Sequence, residues 1–310
     1  KGKTKSKKIV KLTALAGAVL GVVGTAQAAV DTSLSTITIK SDNPNNVAGT
    51  NQGTSNINIG TGANTYRLEN GKVSHDAIAI GTNATGKGDA SVAIGLNATA
   101  TAQNGIAIGH KATGVGQNAI TIGEEATAGA EGKDLDVAIG KKAKATGGES
   151  LAFGSESKSS GQATVAVGKS SNASGSSAVS VGFESAAAGN NAVAVGKNTT
   201  AGAENAIAVG LRATATGTRA IATGAGTAAT GNQSLAVGFI SKAVGDNSIA
   251  QGNNASSAHT SDIAIGTNAA ANGTDTPAGS SNAQNAGTAI SIGANSVATG
   301  VATTSLGQAA

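Results

Sequence analysis

Cysteine, methionine and tryptophan are absent from the 310 residues, proline occurs twice (Pro44 and Pro277), and the aromatic residues are Tyr66, Phe153, Phe183 and Phe239. Without cysteine there is no disulfide framework, no iron–sulfur cluster and no zinc ribbon. So few aromatics and long aliphatics exclude a conventional thick core. Scarce proline, with glycine that does not recur every third residue, excludes collagen. Charge is sparse too, at 12% of residues against 39% apolar, which is not the balance of a disordered chain. What is abundant is glycine, 46 of 310, roughly double average usage.

The formal charge of +4 belongs to one end. Lys1, Lys3, Lys5, Lys7, Lys8 and Lys11 precede an apolar run from Leu12 to Gly24, followed by the small-x-small site Ala26-Gln27-Ala28. This is the layout of a secretory signal peptide, expected over residues 1–28. The run is too short to span a bilayer as a helix. Removing the six lysines leaves +4 − 6 = −2, so the basic pI is no argument for nucleic acid.

A short motif, apolar–small–apolar–Gly, recurs along the rest of the chain. Its seventeen anchor glycines run from Gly60 to Gly307, and thirteen of the sixteen intervals are fourteen residues long. The three longer ones are Gly60 to Gly81, Gly123 to Gly140 and Gly266 to Gly293. Ten of the thirteen regular repeats carry a second glycine seven residues after the anchor, and the others have Ala102, Ala203 and His259 there. Each repeat therefore reads as two halves, each a short strand and a turn in which glycine supplies a positive φ. A helix is excluded, since two glycines per repeat would cost it about 1 kcal/mol each.

The columns assign the faces. Positions one and three before the anchor are apolar in 31 of 34 cases, the exceptions being Thr223, Gln251 and Thr304. Positions two and four before it are small, as in Ala192 and Ala194. Such alternation marks a strand with two unlike faces. Three and five residues after the anchor the side chains are small again, as Ala213 and Ala215, while the intervening positions are mixed and polar. A coil with two turns leaves strands of about five residues and two closely spaced layers. Small side chains then point inward from both, and the Ile/Val face points outward along the whole array. That stripe exceeds the apolar patch a soluble monomer exposes, and the same stripe on other copies of the chain is its natural cover. The expected interface residues are Ile78, Ile80, Val92, Ile94, Ile106, Ile108, Phe153, Val165, Val167, Val193, Val195, Ile207, Val209, Ile263 and Ile265.

The segments Ser91-Val-Ala-Ile-Gly95, Ala192-Val-Ala-Val-Gly196 and Ala206-Ile-Ala-Val-Gly210 closely resemble the head repeats of YadA-like trimeric autotransporter adhesins. The resemblance covers about residues 57–307. It implies an all-β, left-handed parallel β-roll, packed as a homotrimer and displayed on a bacterial outer membrane. It also implies adhesion to extracellular matrix proteins such as collagen or to host cell-surface molecules, with self-association, biofilm formation and virulence. No neck, heptad-patterned stalk or set of membrane strands follows the repeats, so the chain is expected to be truncated before them, with any membrane contact made through an anchor outside it. Residues 29–56, where Ser35–Lys40 alternates like a strand, are expected to cap the first coil, and residues 57–310 to form the roll.

The longer intervals read as loops leaving the roll, where recognition residues often sit. They hold Tyr66, Arg67 and Glu69; Glu131, Lys133 and Asp134; and Asp275 with Pro277. Just after the anchors, Phe183, Leu211, Phe239 and Ile240 stand beside Lys141, Lys142, Lys169 and Lys197. The candidate ligand contacts are thus Glu131, Lys133, Asp134, Lys142, Phe183, Phe239 and Asp275. His75, His110 and His259 show no ligand spacing, and Gly114-Val-Gly116 and Gly224-Ala-Gly226 lie outside any strand–helix unit and are turn glycines. No metal, cofactor, catalytic site or nucleic-acid partner is expected. Two competing readings are a structural spacer or fibre without its own ligand, and an ice-binding solenoid. The second needs an unbroken outward threonine ladder, but paired outward threonines occur only at Thr99/Thr101 and Thr214/Thr216.

Overall fold

The computed structural model describes residues 56–65, 74–273 and 288–309, together with two short strands nearer the start. The chain divides into two units, Lys1–Asp42 and Asn43–Ala310. In the first, Ala28–Ala29 pairs antiparallel with Thr38–Ile39, inside the alternating Ser35–Lys40 segment. Apart from these strands and Asn56, the expected signal peptide and capping segment lie outside the described residues.

The second unit is a parallel β-solenoid, with no helix among the described residues. A typical coil carries a three-residue strand, a turn, a two-residue strand and a second turn, as in Val193–Val195 followed by Thr200–Ala201. Equivalent strands stack in parallel register, so that Val193 lies between Val179 and Ile207. Among the described residues the first sheet has 17 strands and the second 15. Every pairing joins successive coils, so the first sheet is a ladder with Ile57–Ile59 at one end and Thr304–Leu306 at the other. The strands are shorter than five residues because the turns take part in the same ladder. Asn198 N–H donates to Phe183 C=O at 2.9 Å, and Arg212 N–H to Lys197 C=O at 2.9 Å.

Both turns of a coil have one design. The carbonyl of Gly168 accepts the N–H of Ser171 (3.3 Å), and that of Gly175 accepts the N–H of Ala178 (3.2 Å). The third residue of each turn is left-handed, with φ of 56° at both Ser170 and Ser177. This is the type II pattern, which favours glycine or asparagine at that place. Asparagine accordingly fills 11 of the 30 left-handed non-glycine positions among the described residues. Several of these asparagines also stack, as Asn254 Nδ2 on Asn268 Oδ1 (3.1 Å) and Asn268 Nδ2 on Asn295 Oδ1 (2.9 Å).

The glycines therefore serve two purposes, and the second corrects the expectation from sequence. The anchors have the strongly positive φ, +128° at Gly168, and a Cβ there would also lie 2.4 Å from the carbonyl oxygen of Gly182. The second column, apart from Gly300 at φ +96°, does not supply a positive φ. At Gly175 the reason is space, because a Cβ would fall 1.9 Å from the carbonyl oxygen of Gly189.

Between the sheets there is room for little more than methyl groups. Every buried apolar residue among those described is alanine, and the largest wholly buried side chains are threonines and two aspartates. Alanine contributes little burial, on the order of 0.8 kcal/mol per methyl-sized group, so the coil relies heavily on its hydrogen-bond ladder. Some buried hydroxyls pair within the core, as Ser159 with Thr164 and Ser180 with Ser185, both at 2.7 Å, whereas those of Ser91, Ser241, Ser248 and Ser257 have no hydrogen-bond partner among the described residues.

Gly168→Ala should lower stability by at least about 2 kcal/mol, from strained backbone and carbonyl clash. Gly202→Ala, where a Cβ meets nothing nearer than Thr216 Cγ2 at 3.6 Å, should be close to neutral. Paired thermal melts of the two variants make the comparison.

Candidate functional site

Three surfaces of the roll carry the residues singled out from sequence. The first is the outward stripe. Val165, Val179, Val193 and Ile207 form one row, and Val167, Val181, Val195 and Val209 the next. The alanine or serine between each pair is fully buried, whereas the branched neighbours point out. Ile78, Ile80, Val92, Ile94, Ile106, Ile108, Val165, Val167, Val193, Val195, Val209, Ile263 and Ile265 are half-buried, and Phe153 and Ile207 are exposed. Thr223 and Gln251 interrupt the second row and are exposed as well.

The second surface is the edge formed by the turns that follow the anchors. Lys141 Nζ lies 2.9 Å from Glu124 Oε2 one coil below, and Lys142 Nζ lies 3.7 Å from Glu125 Oε2. The hydrogen bond from Lys141 holds the Glu124 carboxyl below its ordinary pKa and raises that of Lys141. Both groups are in solvent, where such pairs add little stability. Lys142 is thus engaged with Glu125. Phe183 sits between the ammonium groups of Lys169 (6.0 Å) and Lys197 (5.5 Å), a stacked cation–π arrangement. Phe239 is 54% exposed, next to exposed Ile240.

The third surface is the loop at residues 129–135, on the opposite turn edge. Its base lies directly on the coil below, and a Cβ on Gly129 would meet the Gly116 nitrogen within 2.1 Å. Lys133 N–H closes a tight turn onto Ala130 C=O at 2.9 Å, with Gly132 at φ +67°. Glu131 and Lys133 are exposed. Asp134 is partly buried, and its Oδ1 accepts the Gln117 N–H at 2.9 Å, so it positions the loop. Glu131 and Asp134 help line a groove of about 780 Å3, and Lys133 and Asp134 a smaller one of about 280 Å3 on the other side. Lys142, Phe183 and Phe239 do not converge with these residues. Asp275, Pro277, Tyr66, Arg67 and Glu69 lie outside the described residues.

Two buried carboxylates escaped the reading from sequence. Asp136 and Asp262 occupy the otherwise small column four residues before the anchor, and both are wholly buried. Asp136 Oδ1 accepts the N–H groups of Gly148 (3.0 Å) and Ser150 (2.9 Å) and the Ser150 hydroxyl (2.5 Å). Asp262 accepts N–H bonds from His259 (3.0 Å), Gly273 (3.1 Å) and Ala289 (2.8 Å). Each stands beside a longer interval, where a carboxylate gathers backbone donors that the regular coil pairs elsewhere. The signal was present as an acidic residue in a column of alanine and serine. Among the described residues no group of three or more His, Cys, Asp or Glu side chains is arranged to hold a metal ion.

The model of the YadA head domain repeat, in two copies, matches residues 87–112, 134–157, 159–185, 173–199, 187–213, 201–227 and 229–255. The array across residues 87–255 is therefore a YadA-like head, of the kind carried by trimeric autotransporter adhesins. Adhesins of this family are exported to the cell surface. No curated protein matches the chain. Residues 113–133, which include most of the loop, fall between two matched stretches. Among the described residues no helix is long and apolar enough to cross a membrane.

Asp136→Ala should destabilise the protein by about 2–4 kcal/mol, because two buried backbone donors and a hydroxyl lose their acceptor. Hydrogen exchange should localise the loss to the amides of Gly148 and Ser150. Unchanged protection there would show that the carboxylate does not hold this turn.

Proposed function

We propose that the chain is the head of a surface adhesin that works as a trimer of left-handed rolls, packed through the Ile/Val stripe and binding extracellular matrix or host-cell molecules. The observation that carries this reading is the stripe itself, two rows of branched side chains left outside a core that admits only small residues. A row of that length in water favours association. Family membership supports three chains, and three copies of each weak surface contact give multivalent attachment. The same multivalency supports self-association between cells and biofilm formation. Residues 1–28 would direct export and residues 29–56 would cap the array. A spacer without its own ligand is the second reading. The regularity of the coils favours it over their length, whereas the exposed Phe183 and Phe239 and the built 129–135 loop favour recognition.

Light scattering on the chain lacking residues 1–28 should give three times the protomer mass. Val193→Asp should break the assembly, because carboxylates would meet at one level of the interface without partners. A soluble, stable monomer of the parent chain would contradict the reading. The assembled head should bind a panel of immobilised matrix proteins, and a head that assembles yet binds none of them would point to the spacer.

A further inference from the structure

We propose that the groove beneath the 129–135 loop binds a short stretch of amino-sugar glycan, rich in hydroxyls and free of sulfate. This deepens the adhesin reading by assigning a ligand to one surface, and its failure would leave the tests of assembly and matrix binding standing.

The groove of about 780 Å3 falls within the usual range of small-ligand clefts. Its floor is two columns taken from three successive coils: Lys87, Thr101 and Val115 in one, Asp89, Gln103 and Gln117 in the other. Coils advance by about 4.8 Å, so an extended ligand running along the rod meets equivalent positions at regular steps. Lys87, Thr101 and Val115 continue the outer face of the second sheet, opposite the stripe, and remain available when the stripe is covered.

The wall is Glu131, Gly132 and Asp134, and it is structurally defined. The Gly116–Gly129 contact, the Ala130–Lys133 turn and the bond from Gln117 N–H to Asp134 hold it from below. The buried Asp136 fixes the chain where it returns to the roll. Glu131 and Gly132 lie in the stretch between two matched head repeats, and Asp134 at the start of the next match.

The lining selects the ligand. Gln103 and Gln117 each offer a carbonyl acceptor and amide donors, and Thr101 adds a hydroxyl, a set suited to neighbouring sugar hydroxyls. Val115, 37% exposed, gives an apolar footing for the C–H face of a pyranose. Three carboxylates against one ammonium repel sulfate and phosphate and attract a protonated amine. Asp89 and Asp134 each spend one oxygen on a backbone N–H, from His75 (3.0 Å) and Gln117 (2.9 Å). The second oxygen of each, and the exposed Glu131 carboxylate, are left to serve a ligand in the groove they line.

The test is calorimetric titration of the full chain with three probes: a glucosamine pentamer, an N-acetylglucosamine pentamer and a heparin-derived hexasaccharide. The expected result is binding of the glucosamine pentamer, weaker binding of the acetylated one and none of the heparin fragment. Glu131→Gln and Gln103→Ala, both at exposed positions, should each weaken the first by about tenfold. Glu204→Gln, an exposed carboxylate on a distant coil, should leave it unchanged. The proposal is overturned if the glucosamine pentamer does not bind, if heparin binds better, if Glu131→Gln binds as the parent does, or if Glu204→Gln weakens binding equally.

Discussion

A coil of fourteen residues that turns twice brings its two strands so close that methyl and hydroxyl groups fill the gap between them. This spacing governs the molecule. It accounts for a core made of Ala194, Ala208, Ala222 and their equivalents on every level. It also accounts for the glycines at both turns, where the backbone of one coil rests on the carbonyls of the next. Bulky aliphatic side chains have no place inside, so the hydrophobic effect that stabilises most domains internally is displaced to the outside of this one. In the proposed trimer, assembly draws on the face that folding leaves outside, at Val193 and Val195 among others.

Much of this was legible in the sequence, because a repeat converts conformational requirements into columns. The alternation of Ile or Val with Ala fixed which face is inward, and the structure agrees at each of these strands. Two features were not legible in the same way. Both glycine columns look alike as letters, yet Gly168 is required for its φ and Gly175 for its lack of a Cβ. The turn conformation itself is carried by neighbours such as Asn198, Lys142 and Glu184, whose left-handed backbone is a context effect that residue type only partly reports.

The candidate sites show the same division. Glu131, Lys133 and Asp134 were found because they break the fourteen-residue spacing, but the floor beneath them was hidden. Lys87, Asp89, Gln103 and Gln117 belong to regular coils and become a groove only once the loop stands over them. Asp136 and Asp262 were concealed for the opposite reason. Their columns were read as small, and a buried carboxylate among backbone donors is a local solution to irregularity. Phe183 between two lysines depends on stacking of residues fourteen apart, which the register makes visible once the coil is accepted.

The claim that the interior admits nothing larger than these small side chains is tested most directly by the thermal stability of Ala194→Leu, compared with Val195→Ala beside it. The account predicts that Ala194→Leu is severely destabilised or does not fold, since three added carbons have no space between the sheets. Val195→Ala should retain the fold and weaken association. An Ala194→Leu protein that melts like the parent would contradict the account.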